Sequence, residues 1–247
     1  TTTFEIPPFD KLEARHFRPA LEAAFREHRA EIAKISANPA KPSFSNTIVA
    51  LEKSGRLLAR VGAVFSNLEA TDSTPELQEI AREMSPRFAA HESQIYLDAK
   101  LFRRIDDLYS RRDKLKLDEE ELRVLERHHL SFVRSGARLS ASAKSRVKEI
   151  NARLASLVTQ FMQNVLKDVQ TWSLMLEGEN ELAGLPETMR AAAARAAKDL
   201  GQNGKYAITL ARSSVEGFLT YSSRRDLREQ AFKAWIQRGA NGGDSDN

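Results

Sequence analysis

"SAKSRVKEINARLASLVTQFMQNVLKD", Ser142 to Asp168, is the stretch whose reading decides the fold. Val147, Ile150, Leu154, Leu157, Val158, Phe161 and Val165 keep one stripe throughout, and no glycine or proline interrupts them. Apolar residues at that period mark an amphipathic helix. At 1.5 Å per residue the helix is roughly 40 Å long. That is enough to form the spine of a helical molecule.

Upstream, the same period returns in shorter pieces. A helix starts near Phe17 with Pro19 in its first turn, and its apolar face runs Leu21, Ala24, Phe25, Ile32, Ile35. "NPAKPSFSN" breaks it, and Thr47 to Glu69 reads as one further helix. "DSTPELQEI" is a helix start, with a hydroxyl cap, Pro75 in the first turn and acids after it. Pro86 inside that helix is expected to kink or split it. A shorter helix passes through Phe102, Ile105, Leu108 and Tyr109. Asp118 with Glu121 forms a capping box for the next, which ends near Gly136.

Downstream the texture changes. "TWSLMLE" and "KYAITLA" alternate as strands do, with an alanine-rich helix, about Glu187 to Leu200, between them. They read as a small antiparallel ribbon, followed by helices around Val215–Tyr221 and Arg224–Arg238. Phe232 and Trp235 are expected to pack into a core. "GANGGDSDN" reads as an unstructured tail or a cut through a turn. The fold class expected is mainly α: a multi-helix, bundle-like array with a long central helix and a small two-stranded β ribbon. Three regions follow: an extended arm at 1–16, a helical domain at 17–171, and the ribbon with its helices at 172–247.

Composition bounds function. Of 247 residues, 41% are hydrophobic and 29% charged, with only 11 glycines and 8 prolines. That balance suits a helical globular protein. There is no cysteine, hence no disulfide framework and no thiolate metal site. "TTTFEIPPFD" has no signal-peptide pattern, and no apolar run reaches membrane-spanning length. A net charge of +4, with bases interleaved among acids, gives no case for nucleic acid. The expectation is a cytoplasmic protein without membrane or nucleic-acid partners.

The motifs that suggest chemistry are incomplete. His91-Glu92 opens an H-E-x-x-H pattern, in which two histidines one helical turn apart hold zinc and the glutamate activates water. The fifth position is Ile95, which has no lone pair, so the two are read as a polar pair near the edge of a helix. His128 and His129 point about 100° apart on a helix and cannot easily chelate one ion. Glu126 with His129 makes one E-x-x-H, where a di-iron bundle needs two. One histidine in the core and one on the surface is the reading. Arg224, Arg225 and Asp226, then Arg228 with Glu229, could bind an anion, but surface charge pairs are commoner. The glycines of "GQNGKY" and "RGANGG" lack phosphate-loop spacing and read as helix ends followed by turns. No catalytic, cofactor-binding or metal residue is assigned.

Longer segments carry a resemblance. "NPAKPSFSNTIVALEKSGRLLARVGAVFSNL" (38–68), "LQEIAREMSPRFAAHESQIYLDAKLFRRIDDLY" (77–109), "LERHHLSFVRSGARLS" (125–140), "RLASLVTQFMQNVLKD" (153–168) and "ELAGLPE" (181–187) resemble, in order, the N-terminal region of the thimet-oligopeptidase-like zinc metallopeptidases. "FVRSGA" and "SRRDLREQAFKAWIQRGANGGDSDN" (223–247) are most similar to the bacterial peptidyl-dipeptidase branch. The resemblance implies a zinc-dependent parent that removes dipeptides from the C-termini of short peptides. Its H-E-x-x-H lies in a C-terminal part that this chain stops before. The chain itself is then expected to be inactive and without zinc, to form one wall of a substrate channel, and to restrict access to unfolded peptides. Its partners would be short peptides and the missing catalytic region. Residues near 205–238 should expose an apolar patch, through which the piece could self-associate. The rival reading is a free-standing helical module that binds peptides or proteins.

Overall fold

A computed structural model describes residues 6–243, 246 and 247. The chain divides into two compact units, Thr1–Leu157 and Val158–Asn247.

In the first unit, single 3-10 turns at Phe9–Lys11 and Ala14–His16 stand where an extended arm was expected; Thr1–Glu5 lie outside the described residues. Then come α1 (Phe17–Ser36), α2 (Ala50–Glu52), α3 (Arg56–Thr71), α4 (Pro75–Tyr96), α5 (Ala99–Ser110) and α6 (Glu119–Arg134). The helix α7 (Ala141–Thr171) begins in this unit, and the division between units falls within it.

The helix starts follow side-chain chemistry. Thr74 caps α4 by accepting from the Leu77 N–H, with Pro75 first in the helix. Asp98 accepts from the N–H groups of Lys100 and Leu101 at the head of α5. Asp118 and Glu121 close the expected capping box at α6.

The single helix expected over 47–69 is instead interrupted. Ser43 and Asn46 cap each other around a π-helical turn, Phe44–Val49, which leads into the short α2. Gly55, at φ +70°, then breaks the chain before α3. Pro86 does not end α4, which is assigned as one helix. Leu77, Ile80 and Met84 are buried before the proline, and His91 and Ser93 after it. Packing on both sides offsets the one helical hydrogen bond that proline removes.

Two apolar clusters fill this unit. Phe17, Leu21 and Phe25 of α1 meet Phe65 of α3 and Ile80 and Met84 of α4. Further along the same face of α1, Ile32 and Ile35 join Leu101, Ile105, Leu125 and Phe132. Arg104, though charged, is buried among them. Its guanidinium donates to the carbonyls of Asn38 (2.8 Å) and Ala40 (3.1 Å) and to the Asn46 side chain (2.9 Å), holding the proline-rich loop after α1.

The second unit contains β1 (Ser173–Leu176), α8 (Glu187–Asp199), β2 (Tyr206–Thr209), α9 (Arg212–Tyr221) and α10 (Arg225–Ile236). The two strands pair antiparallel, Ser173 opposite Thr209 and Leu176 opposite Tyr206, as the alternation predicted. Leu176, Ile208, Val215, Phe218 and Leu227 form its core. Gly184, at φ +86°, passes so close to the Tyr221 carbonyl that a Cβ would lie 2.3 Å from it. The fold is mainly α with this small ribbon.

The α7 helix exists, and its stripe is largely exposed: Leu154, Val158 and Phe161 are 49–59% exposed. Asp168 is its one buried residue among those described. Phe232 is 49% exposed rather than in the core, while Trp235 is partly buried, with Arg238 stacked over its ring at 3.6 Å. The tail, expected to be unstructured or a cut through a turn, turns back: Asp168 accepts from the Gly239 N–H (2.8 Å) and the Asn241 amide (2.9 Å), and the Asn247 N–H donates to the Gly239 carbonyl. Asp244 and Ser245 lie outside the described residues.

Candidate functional site

The polar groups that the helices bring together lie mostly in the first unit. His28 sits on the face of α1 that carries Leu21, Phe25 and Ile32, at spacings of three and four. His91 sits likewise on α4 in series with Met84, Phe88 and Ile95. The two rings meet at 2.9 Å between His91 Nε2 and His28 Nδ1. His91 is only 3% exposed, so it is a core residue and not the edge residue expected; Glu92 beside it is exposed.

The hydrogen bonds order the protons. Ser54 spends its single O–H on the Leu51 carbonyl (2.7 Å). It can therefore only accept from His28 Nε2 (3.2 Å), which fixes the proton there. His28 Nδ1 is then bare and accepts from His91 Nε2–H. His91 Nδ1 is left as a lone pair, buried and without a partner. Burial, with His28 and Arg29 nearby, pushes His91 down to about 4. Burial also lowers His28, against the pull of Glu31. Both rings are thus neutral near pH 7. Glu31 turns to the backbone, accepting from the Gly55 N–H at 2.7 Å.

The second histidine pair divides only in part as the sequence suggested: His129 is in the core, but His128 is not fully at the surface. His129 is buried, bonded to Asp106 at 2.9 Å and stacked flat on Tyr109 at 3.7 Å between ring centres. His128 is half-buried and pairs with Glu52 at 2.6 Å. Burial alone would raise Asp106, but hydrogen bonds from His129 and Arg138, with their charges, hold its carboxyl below the usual range. Arg224 is committed to Asp226 through two contacts, at 3.0 and 2.6 Å; Glu229 pairs with Lys233 at 2.6 Å rather than with Arg228, whose guanidinium donates to the Ser222 carbonyl.

These residues do not fit a zinc centre. Ile95 stands where the second histidine of the motif belongs. The His28–His91 contact uses a lone pair that a metal would need. Among the described residues no three histidine or acidic side chains converge to hold an ion. No helix among them is long and apolar enough to cross a membrane. Sequence reasoning singled out His91 but missed His28, whose place on the apolar face of α1 was the available signal.

The chain carries charge pairs but, among the described residues, no metal-donor set. It is homologous over nearly its whole length to dipeptidyl carboxypeptidases and oligopeptidases. Dipeptidyl carboxypeptidase of Escherichia coli (strain K12) is 38% identical over 95% of this chain and 34% of its own length. That of Salmonella typhimurium is 36% identical over 97% of the chain and 35% of its own length. Oligopeptidase A of Salmonella typhimurium is 29% identical over 100% of the chain and 37% of its own length. The chain therefore spans about a third of the relatives it matches. No family model matches it.

Proposed function

We propose that the chain is the N-terminal, non-catalytic part of a zinc-dependent peptidyl-dipeptidase of the cytoplasm. The supporting observation is one continuous alignment, 38% identical to a dipeptidyl carboxypeptidase, that takes in 95% of this chain and 34% of the relative. In this reading zinc, its ligands and the general base belong to the remainder of the polypeptide. This chain contributes no reacting group. Its role is steric: helices 17–171 form one wall of a channel that passes flexible short peptides and turns away folded proteins. Residues 172–247 lead on toward the catalytic region. The exposed stripe of α7, with Phe232 and Ile236 of α10, gives that region apolar surface to cover.

Three measurements test this. The coding sequence should continue past Asn247 into a His-Glu-x-x-His; a stop codon there would remove the proposal. The purified chain, loaded with zinc and passed through gel filtration, should neither keep stoichiometric metal nor cleave a blocked peptide. Mixed with the catalytic remainder it should restore release of C-terminal dipeptides.

A further inference from the structure

The first unit contains a cleft that the peptidase reading leaves unused. Its volume is about 530 Å³, within the range of roughly 300–1,000 Å³ typical of ligand sites. The α3 side is built of small residues, Ala59, Gly62 and Ala63, on one helix face. A Cβ added at Gly62 would meet nothing within 4 Å. Leu58, Phe88, Ile95 and Phe132 complete an apolar wall. Well-packed helices leave no such gap opposite small residues.

The polar groups around this gap have one character. His91, 3% exposed, lines the cleft, with its partnerless Nδ1 closed off from solvent. Glu92 lines it as an exposed carboxylate and makes no salt bridge among the described residues. Glu52 is held nearby through His128, another lining residue, at 2.6 Å. Both carboxylates act on Tyr96 between them: burial first, then Glu92 and Glu52, raise its hydroxyl. Among the described residues no lysine or arginine lines the cleft. The site offers negative charge beside an apolar hollow.

We propose that this cleft binds an ammonium group carrying a short apolar arm, the arm filling the space over Gly62 and the ammonium facing Glu92. A peptide whose free N-terminal residue has a large apolar side chain presents that chemistry, and so does an arylalkylamine. The site lies on this chain alone and does not depend on the peptidase reading.

The experiment is a titration of the isotopically labelled 247-residue chain, followed by amide chemical shifts and calorimetry. The probes are Phe-Gly-Gly amide, 2-phenylethylamine and N-acetyl-phenylalaninamide. Saturable shifts at Gly62, His91 and Glu92 are expected with the first two. The acetylated probe, which has no charge, should bind about tenfold more weakly or not at all. Glu92→Gln should weaken the charged probes several-fold. Gly62→Leu should abolish saturable shifts while keeping the melting temperature, since leucine favours helix and points into open space. Binding of the peptide but not the amine assigns the site to peptide N-termini, and the reverse to small amines. Equal binding of the acetylated probe, undiminished binding to Gly62→Leu, or no saturable shift with any probe overturns the proposal.

Discussion

His91 donates from Nε2 to Nδ1 of His28 across 2.9 Å, and the pair joins α4 to α1 in the middle of the first unit. The bond requires His28 to be neutral, because a second proton on its ring would remove the lone pair that accepts it. Acid is therefore the natural probe of this junction.

His91 falls from 6.5 to about 4 on folding, chiefly through burial. A depressed histidine means that the unfolded chain binds the proton first. Its stabilising contribution is complete above about pH 6.5 and is lost as pH falls toward 4. The full span corresponds to at most about 3 kcal/mol. His91→Leu should lose about 1 kcal/mol at pH 7, where His28 loses its donor. It should also flatten the stability curve between pH 6.5 and 4. Urea midpoints across that window measure both effects, and parallel curves for the two proteins would contradict the assignment.

Gly55 is tied to the same junction. A Cβ on it would lie 2.7 Å from His28 Cε1, and its φ of +70° suits no other residue well. Gly55→Ala should cost about 1–3 kcal/mol. Gly62→Ala, in open helical space, should instead gain up to about 1 kcal/mol. Thermal midpoints of opposite sign are the expected result; equal shifts would show that neither environment matters.

How far the sequence disclosed this depends on the range of each signal. Local signals held: Asp118 and Glu121 close their box, Thr74 precedes Pro75 at a helix start, and the alternation around Leu174 and Ile208 became paired strands. Spacing even contains the histidine pair, since His28 and His91 each continue an apolar row. What it lacks is any record that the two rows meet, because residues 63 apart have no shared period. Gly55 failed for a related reason: one left-handed residue broke a helix whose apolar pattern ran on unbroken. The α7 stripe reads the same whether it is covered or exposed. Period reveals an apolar face, and only tertiary structure reveals what lies against it.

Arg104 tests whether a buried charge organises the loop after α1. Its donors satisfy the carbonyls of Asn38 and Ala40 and the side chain of Asn46, while its Nε has no partner. Arg104→Leu keeps bulk but strands those acceptors, at about 2–4 kcal/mol. Hydrogen exchange should accelerate first in residues 38–47. Uniform acceleration across the unit would mean the arginine serves general packing instead.

Substitutions along α7 separate pattern from burial. Phe161 and Leu154 carry the period of core residues, yet 49% and 52% of their surface meets solvent. Removing them from water contributes little to this chain, so Phe161→Ser and Leu154→Gln should each change stability by no more than about 0.5 kcal/mol. Leu101→Ala, at a fully buried site of the same unit as Leu154, should cost about 2–5 kcal/mol. The proposed function predicts the opposite ordering for assembly: with a catalytic remainder covering the stripe, Phe161→Ser and Leu154→Gln should weaken its reconstitution with this chain by tenfold or more, since apolar residues at interface centres dominate affinity. Reconstitution unaffected by both substitutions, with the chain still folded, would place the interface elsewhere.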